Sequence, residues 1–219
     1  MRIDEPLPGR SAWASGRRGD PAVPVLVTAI WIERLAIGLG RPGAPIRRCG
    51  MGPEKARSAG ARLAAGLAPG RPVIVLGVCG ALRRSAKPGQ VVVAERVSVE
   101  GRETALSPDD QLTSVVVDAL RRSGIRAELG AVETVRRPVW GTRRAELAAS
   151  GGDVVDTETG YLFEALGARP MAAVRAVSDA PSTGLAGLPR SGLAGLAAVR
   201  RTARALGRPP LHLSEGIGY

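Results

Sequence analysis

Short apolar runs rich in β-branched residues, closing near a glycine or a carboxylate, limit what this chain can fold into more than any other feature. The runs at 25–30, 73–76 and 171–177 show little alternation of polar and apolar residues, as in strands buried on both faces. Such strands need helices above and below. Gly50-Met51-Gly52-Pro53 introduces one: Pro53 suits the first helical position, Ala56, Ala59, Leu63 and Leu67 form one apolar stripe, and Gly70 and Pro72 end it. Strand, helix, strand at these lengths predicts a crossover unit in a mostly parallel or mixed sheet, hence an α/β fold.

The remaining pattern agrees. A further strand is expected over 90–94 after the Pro88-Gly89 turn, and an extended segment over 127–135. Helices are expected over 109–123, 142–149, 158–166 and 193–206, and 31–38 begins another element. Residues 1–23 read as a poorly ordered lead-in, 24–206 as one domain, and 207–219 as a Pro-rich tail. No repeat is visible, and no run of 18 apolar residues occurs. The start of the chain has no apolar stretch of the signal-peptide kind, so a soluble, cytoplasmic protein is expected.

The titratable residues narrow the chemistry. Cys49 and Cys79 are the two cysteines and His212 the one histidine, which leaves no ligand set for zinc and no imidazole for a hydrolytic triad. No metal and no cofactor are expected. An acid or base must then be a carboxylate, or less often Lys, Tyr or Cys. The net charge of +11, from 31 Lys+Arg against 20 Asp+Glu, raises nucleic-acid binding. However, the arginines fall in scattered pairs such as Arg83-Arg84 and Arg200-Arg201, and aromatics make up only 3%. A solvated basic surface is the reading, with no specific nucleic-acid partner.

Open α/β sheets bind ligands beyond the carboxyl ends of their strands. Four places qualify: Glu33 after the first strand, the glycine turn Gly77 to Gly80 after the second, Asp156 to Glu158, and Ser178-Asp179 after the last. Each also has a plain structural reading. Glu33 can be a solvated charge beside Arg34, Glu158 a first-turn helix carboxylate, and Asp179 a turn cap. Gly77 and Gly80 suit any tight turn, and Cys79 suits a small buried group.

In order along the chain, VTAIWIE (27–33), GMG (50–52), GVCGAL (77–82) with KPGQVVVA (87–94), VVDTE (154–158) and VRAVSDAP (174–181) resemble the nucleoside phosphorylase superfamily. The similarity is greatest to its methylthioadenosine/S-adenosylhomocysteine nucleosidases and hopanoid-associated phosphorylases, and it spans about 24–206. It implies a single-domain three-layer sandwich whose central mixed, partly barrel-like sheet is flanked by helices. It also implies roles that cleavage of a purine N-glycosidic bond requires. By resemblance Asp179 protonates the purine at N7, Glu158 holds the ribose hydroxyls and Glu33 deprotonates the attacking water. Val78, Cys79 and Gly80 form the wall along the base, with Thr157 and Ser178 beside the substrate.

Two departures from the family pattern suggest a divergent or bulky substrate. Thr157 stands where most members have Met, and no stacking aromatic is evident near Thr134 and Val135. A phosphorylase needs donors for phosphate, and Val75 and Val78 occupy places where related purine phosphorylases carry Arg and Ser. Hydrolysis of an adenosyl-type nucleoside, releasing adenine, is therefore favoured. Phosphorolysis remains open, with phosphate as co-substrate, Arg34 or Arg83 as its donors and adenosylhopane as one substrate. A lipid nucleoside of that kind would bring the protein close to a membrane. A nucleoside- or nucleic-acid-binding protein without activity is the third reading. By resemblance the chain forms a homodimer, and the Ala- and Leu-rich helix face at 56–67 needs cover.

Overall fold

The computed structural model describes residues 23–181 and 187–207. Apart from Val23 and Gly207, the expected lead-in and tail lie outside these residues. The strands are β1 (Val25–Thr28), β2 (Ile46–Arg48), β3 (Val73–Ala81), β4 (Val91–Val99), β5 (Ala127–Thr134), β6 (Val154–Asp156) and β7 (Met171–Asp179). The helices are α1 (Trp31–Gly40), α2 (Pro53–Gly66), α3 (Asp110–Arg122), α4 (Gly141–Ala149), α5 (Thr159–Leu166) and α6 (Leu188–Leu206).

The sheet runs β2-β1-β3-β6-β5-β4-β7, and β7 also pairs with β3. Strands β3, β6, β5, β4 and β7 therefore close into a five-stranded barrel, from which β1 and β2 extend as a parallel wing. The sheet is mixed, because β3 meets β6 and β4 meets β7 antiparallel while the other pairs are parallel. Closing so small a barrel needs strong local twist, and register shifts between Ala94 and Arg96 and between Cys79 and Gly80 supply it.

Helices cover both faces. On one, Ala56 and Ala59 of α2 and Tyr161, Leu162 and Leu166 of α5 pack on Val25, Val73, Val75 and Ala173. On the other, Ala36 and Ile37 of α1, Leu112 and Val116 of α3, and Ala198 and Val199 of α6 pack on Leu26, Ile74, Leu76 and Val174. Helix α4 closes one end, with Leu147 against Leu82, Val135 and Val155. The expected three-layer, single-domain architecture is the observed one. The α2 stripe is covered within the chain: a Cβ on Gly60 would lie 2.6 Å from Ala165 Cβ, so α2 and α5 touch closely.

Several expectations on boundaries need correction. The glycine segment 77–80 is not a turn but the second half of β3, which runs unbroken to Ala81, and no helix follows it. Its glycines answer to side chains lying across the strand. A Cβ on Gly77 would come within 2.6 Å of both Glu33 Oε1 and Arg175 Nη1, and one on Gly80 would strike Arg144 Nη2. Strand β4 is longer than the expected 90–94, and α6 starts before the expected 193. Strand β2, too short and too basic to announce itself, was not expected.

Candidate active site

Segments from across the chain converge on a cleft of about 400 Å³ at the carboxyl ends of β1, β6 and β7. Because β3 and β7 are parallel, with Gly80 level with Asp179, and β6 runs against β3, with Val155 opposite Gly80, three carboxylate-bearing ends are brought together. Glu33, Val78, Cys79, Gly80, Thr157, Glu158, Ser178 and Asp179, the residues the resemblance places at the substrate, line this one cleft.

Glu33 is the third residue of α1, and it is buried to 2% exposure. Its carboxylate accepts hydrogen bonds from Thr28 Oγ1 (2.6 Å), Ala29 N (3.0 Å) and Ile30 N (3.0 Å) on Oε2, and from Val78 N (2.7 Å) on Oε1. It thus satisfies the amides of Ala29 and of the N-cap residue Ile30, just before α1, and ties that helix to β3. With three donors on Oε2 and one on Oε1, the remaining acceptor capacity lies on Oε1. The reading of Glu33 as a solvated charge is excluded.

Glu158 stands at the N-cap position of α5, yet its side chain makes no capping bond. It accepts from Gly52 N at 3.0 Å and from the Thr157 hydroxyl. The GMG segment before α2 is thereby joined to the VVDTE segment. Burial first, and then the neighbouring Asp156 carboxylate, push the Glu158 carboxyl above its ordinary range, against the pull of Arg175.

Beneath the cleft floor lies a buried ion pair that sequence reasoning did not single out. Arg175, 1% exposed on β7, meets Asp156 Oδ2 at 2.5 Å and donates to Thr159 Oγ1. Asp156 also accepts from Thr134 Oγ1 at 2.8 Å and from the Glu158 and Thr159 amides. Burial alone would lower the Arg175 pKa, but Asp156, Glu158 and Glu33 outweigh it and raise it. An arginine inside the otherwise apolar strand MAAVRAV, beside an Asp leaving VVD, was the available signal.

Asp179 ends β7 with Oδ2 at 2.5 Å from Arg144 Nη2. Ser178 Oγ lies 3.1 Å from the Cys79 carbonyl and 3.2 Å from Asp179 Oδ1. Arg144, on α4, is the one cation among the described residues lining the cleft. Neither Arg34 nor Arg83 fills that place: Arg83 pairs with Asp153, and Arg34 lines a separate groove along α1. Trp140, at the N-cap of α4 and 69% exposed, also lines the cleft. It supplies an aromatic five residues beyond Val135, where none was evident from sequence. Burial drives both thiols up, Cys49 to about 12 with Glu158 adding to the rise, so neither cysteine is suited to act as a nucleophile.

A family model, the phosphorylase superfamily, matches residues 39–205. The chain belongs to the phosphorylase superfamily. Solved structures with a similar fold include the 5′-methylthioadenosine/S-adenosylhomocysteine nucleosidase from Neisseria meningitidis, with TM-score 0.72 and 16% identity over 83% of this chain and 96% of that one. The S-adenosylhomocysteine nucleosidase from Streptococcus pyogenes gives TM-score 0.70 and 17% identity over 85% and 97%. The futalosine hydrolase of Helicobacter pylori gives TM-score 0.66 and 15% identity over 83% and 94%. A comparison with proteins of curated function finds no match. As a superfamily member, the chain keeps the fold at 15–17% identity to these structures. Among its described residues no helix is long and apolar enough to cross a membrane, and no group of His, Cys, Asp and Glu is placed to hold a metal ion.

Proposed function

We propose that this protein hydrolyses the N-glycosidic bond of an adenosyl-type purine nucleoside, releasing adenine. The observation that carries the reading is the meeting of Glu33, Glu158 and Asp179, from three separate elements, in one cleft large enough for a nucleoside. Cleavage passes through an oxocarbenium-like state, so the sugar, the incoming oxygen and the departing base each need a partner. Glu158 accepts the ribose hydroxyls, with Thr157 holding its carboxylate. Glu33 Oε1 takes a proton from the attacking water, and Asp179 serves the base, which lies along Val78, Cys79 and Gly80 against the Trp140 ring.

Water is favoured over phosphate by charge. Glu33, Asp156 and Glu158 surround one end of the cleft, whereas its one lining cation, Arg144, is engaged by Asp179 at another. A dianion at the end held by Glu33, Asp156 and Glu158 would meet carboxylates and no lining cation. A second groove of about 700 Å³ shares Ala29, Ile30 and Met51 with the cleft, leaving room for a sizeable 5′ substituent.

No cofactor has a part in this scheme. The test is incubation with adenosine, methylthioadenosine and S-adenosylhomocysteine, following free adenine. Release from one or more of them is expected, and release from none sinks the reading.

A further inference from the structure

The groove beside the cleft carries charge of the opposite sign. It starts at Ala29, Ile30 and Met51, which it shares with the cleft, and is otherwise lined from the end of β2 and the first turns of α2. Gly52, next to Met51, donates its amide to Glu158, so the groove opens at the sugar end; Asp179 and Trp140, where the base lies, are not among its walls. With the ribose hydroxyls on Glu158, a substituent on the 5′ carbon is the part of a nucleoside that can enter it. The groove walls hold three cations, Arg48, Lys55 and Arg62, against one carboxylate, Glu54. Glu54 lies in the first turn of α2, a place the helix dipole favours. Lys55, Ser58 and Arg62 recur at helical spacing and share one face of α2, with Lys55 and Arg62 roughly 10 Å apart along its axis. Elsewhere on the surface Arg57, Arg83, Arg96, Arg102 and Arg143 each meet a carboxylate of the chain. Among the described residues Arg48 and Lys55 meet none, and Arg62 donates to the neutral Ser58 hydroxyl at 2.6 Å.

We propose that this groove is a subsite for an anionic 5′ substituent, a tail ending in a carboxylate or phosphate several bonds from the sugar. The inference rests on the hydrolytic reading above and narrows its substrate class. An anion attached directly to the 5′ carbon would lie nearest Glu33 and Glu158, which repel it. One carried farther out reaches Arg48, Lys55 and Arg62 instead. Trp31 and Met51, both exposed on the same walls, cover the apolar stem between. The three cations also draw an anionic substrate toward the mouth of the cleft, an attraction that salt weakens. No bond of the tail breaks, so the groove acts on substrate capture and not on the step at the anomeric carbon.

The test is a series of 5′-alkylthio-5′-deoxyadenosines with tails of equal length ending in carboxylate, phosphate, methyl or ammonium, with adenine release followed at low salt. An exposed ion pair is worth up to about 5-fold, so two such contacts should raise kcat/KM for the better oxyanion tail about 5- to 25-fold above the methyl tail. The ammonium tail should fall below the methyl tail, and the spread should shrink at about 0.5 M salt. Arg48→Glu combined with Lys55→Glu should bring the ratio of oxyanion to methyl tail to about one or below, through KM more than kcat. A double variant that keeps the wild-type ratio overturns the proposal. Equal kcat/KM for all four tails in the wild type, or a lead for the methyl or ammonium tail, also overturns it and leaves the hydrolytic reading standing. Adenine release from none of the tails, nor from methylthioadenosine, overturns both.

Discussion

Glu33 and Val78, 45 positions apart, meet at 2.7 Å, the Val78 amide donating to Glu33 Oε1. One carboxylate thus closes the start of α1 and marks the point on β3 where the cleft begins. Glu33→Gln puts an amide nitrogen among four donors, so one or more of them loses its acceptor. We expect kcat to fall about 100- to 10,000-fold with KM little changed, and stability to fall by roughly 1–3 kcal/mol. Steady-state kinetics and urea unfolding check both; a raised KM at unchanged kcat would remove Glu33 from the reaction step.

Glu158 makes a pH prediction with a definite sign. Its folded carboxyl sits above the ordinary value, so folding disfavours the charged form, and its share of stability is complete in acid and shrinks as pH rises through the raised value. Glu158→Gln should therefore match the wild type in acid and exceed it near neutral pH, by about 1.4 kcal/mol for each unit of elevation. Unfolding curves across this window measure it, and a constant difference at all pH values refutes it. In activity, KM for a riboside should rise as pH falls through the same window, with a 2′-deoxy substrate less affected.

The Arg175–Asp156 pair is a structural dependency of the site. Arg175→Met leaves Asp156 buried without its cation, and a loss of about 3–5 kcal/mol is expected. Adding Asp156→Asn should recover part of it. Strictly additive losses in the double variant would show that the two residues do not act as a unit.

The apolar runs made the sheet and its helices legible in sequence, because strands buried on both faces leave a continuous signature. Barrel closure was reached by family resemblance, since pairing between distant strands, such as Gly80 with Val155, has no local signal. Glu33, Thr157 and Glu158 could be named because they follow strand ends, and Ser178 and Asp179 because they close one. Their partners could not: Arg144 and Trp140 reach the cleft from α4, where Arg143-Arg144 reads as one more basic pair. Glycine permits both a turn and the close passage of a side chain, so the glycines of β3 read as a turn in the sequence. Only the passage of Glu33, Arg175 and Arg144 over the strand separates the two.

Trp31, Leu35 and Leu39 repeat every four residues along α1 and are 63%, 52% and 57% exposed, beside a groove that includes Ile46 and Arg71. We propose this face, rather than α2, for the homodimer, whose second copy would sit near Ile30 and the cleft. Sedimentation should give a dimer at micromolar concentration that Leu35→Glu dissociates. A wild type that is only monomeric contradicts it.

Whether water or phosphate attacks decides the central claim. The product of a purine nucleoside is best followed in phosphate-free buffer and again at saturating phosphate, with the sugar identified in each. The account predicts adenine release at equal rates in both, with free ribose or its 5′-substituted form as the sugar. Strict dependence of adenine release on phosphate, with a ribose 1-phosphate as product, would contradict it.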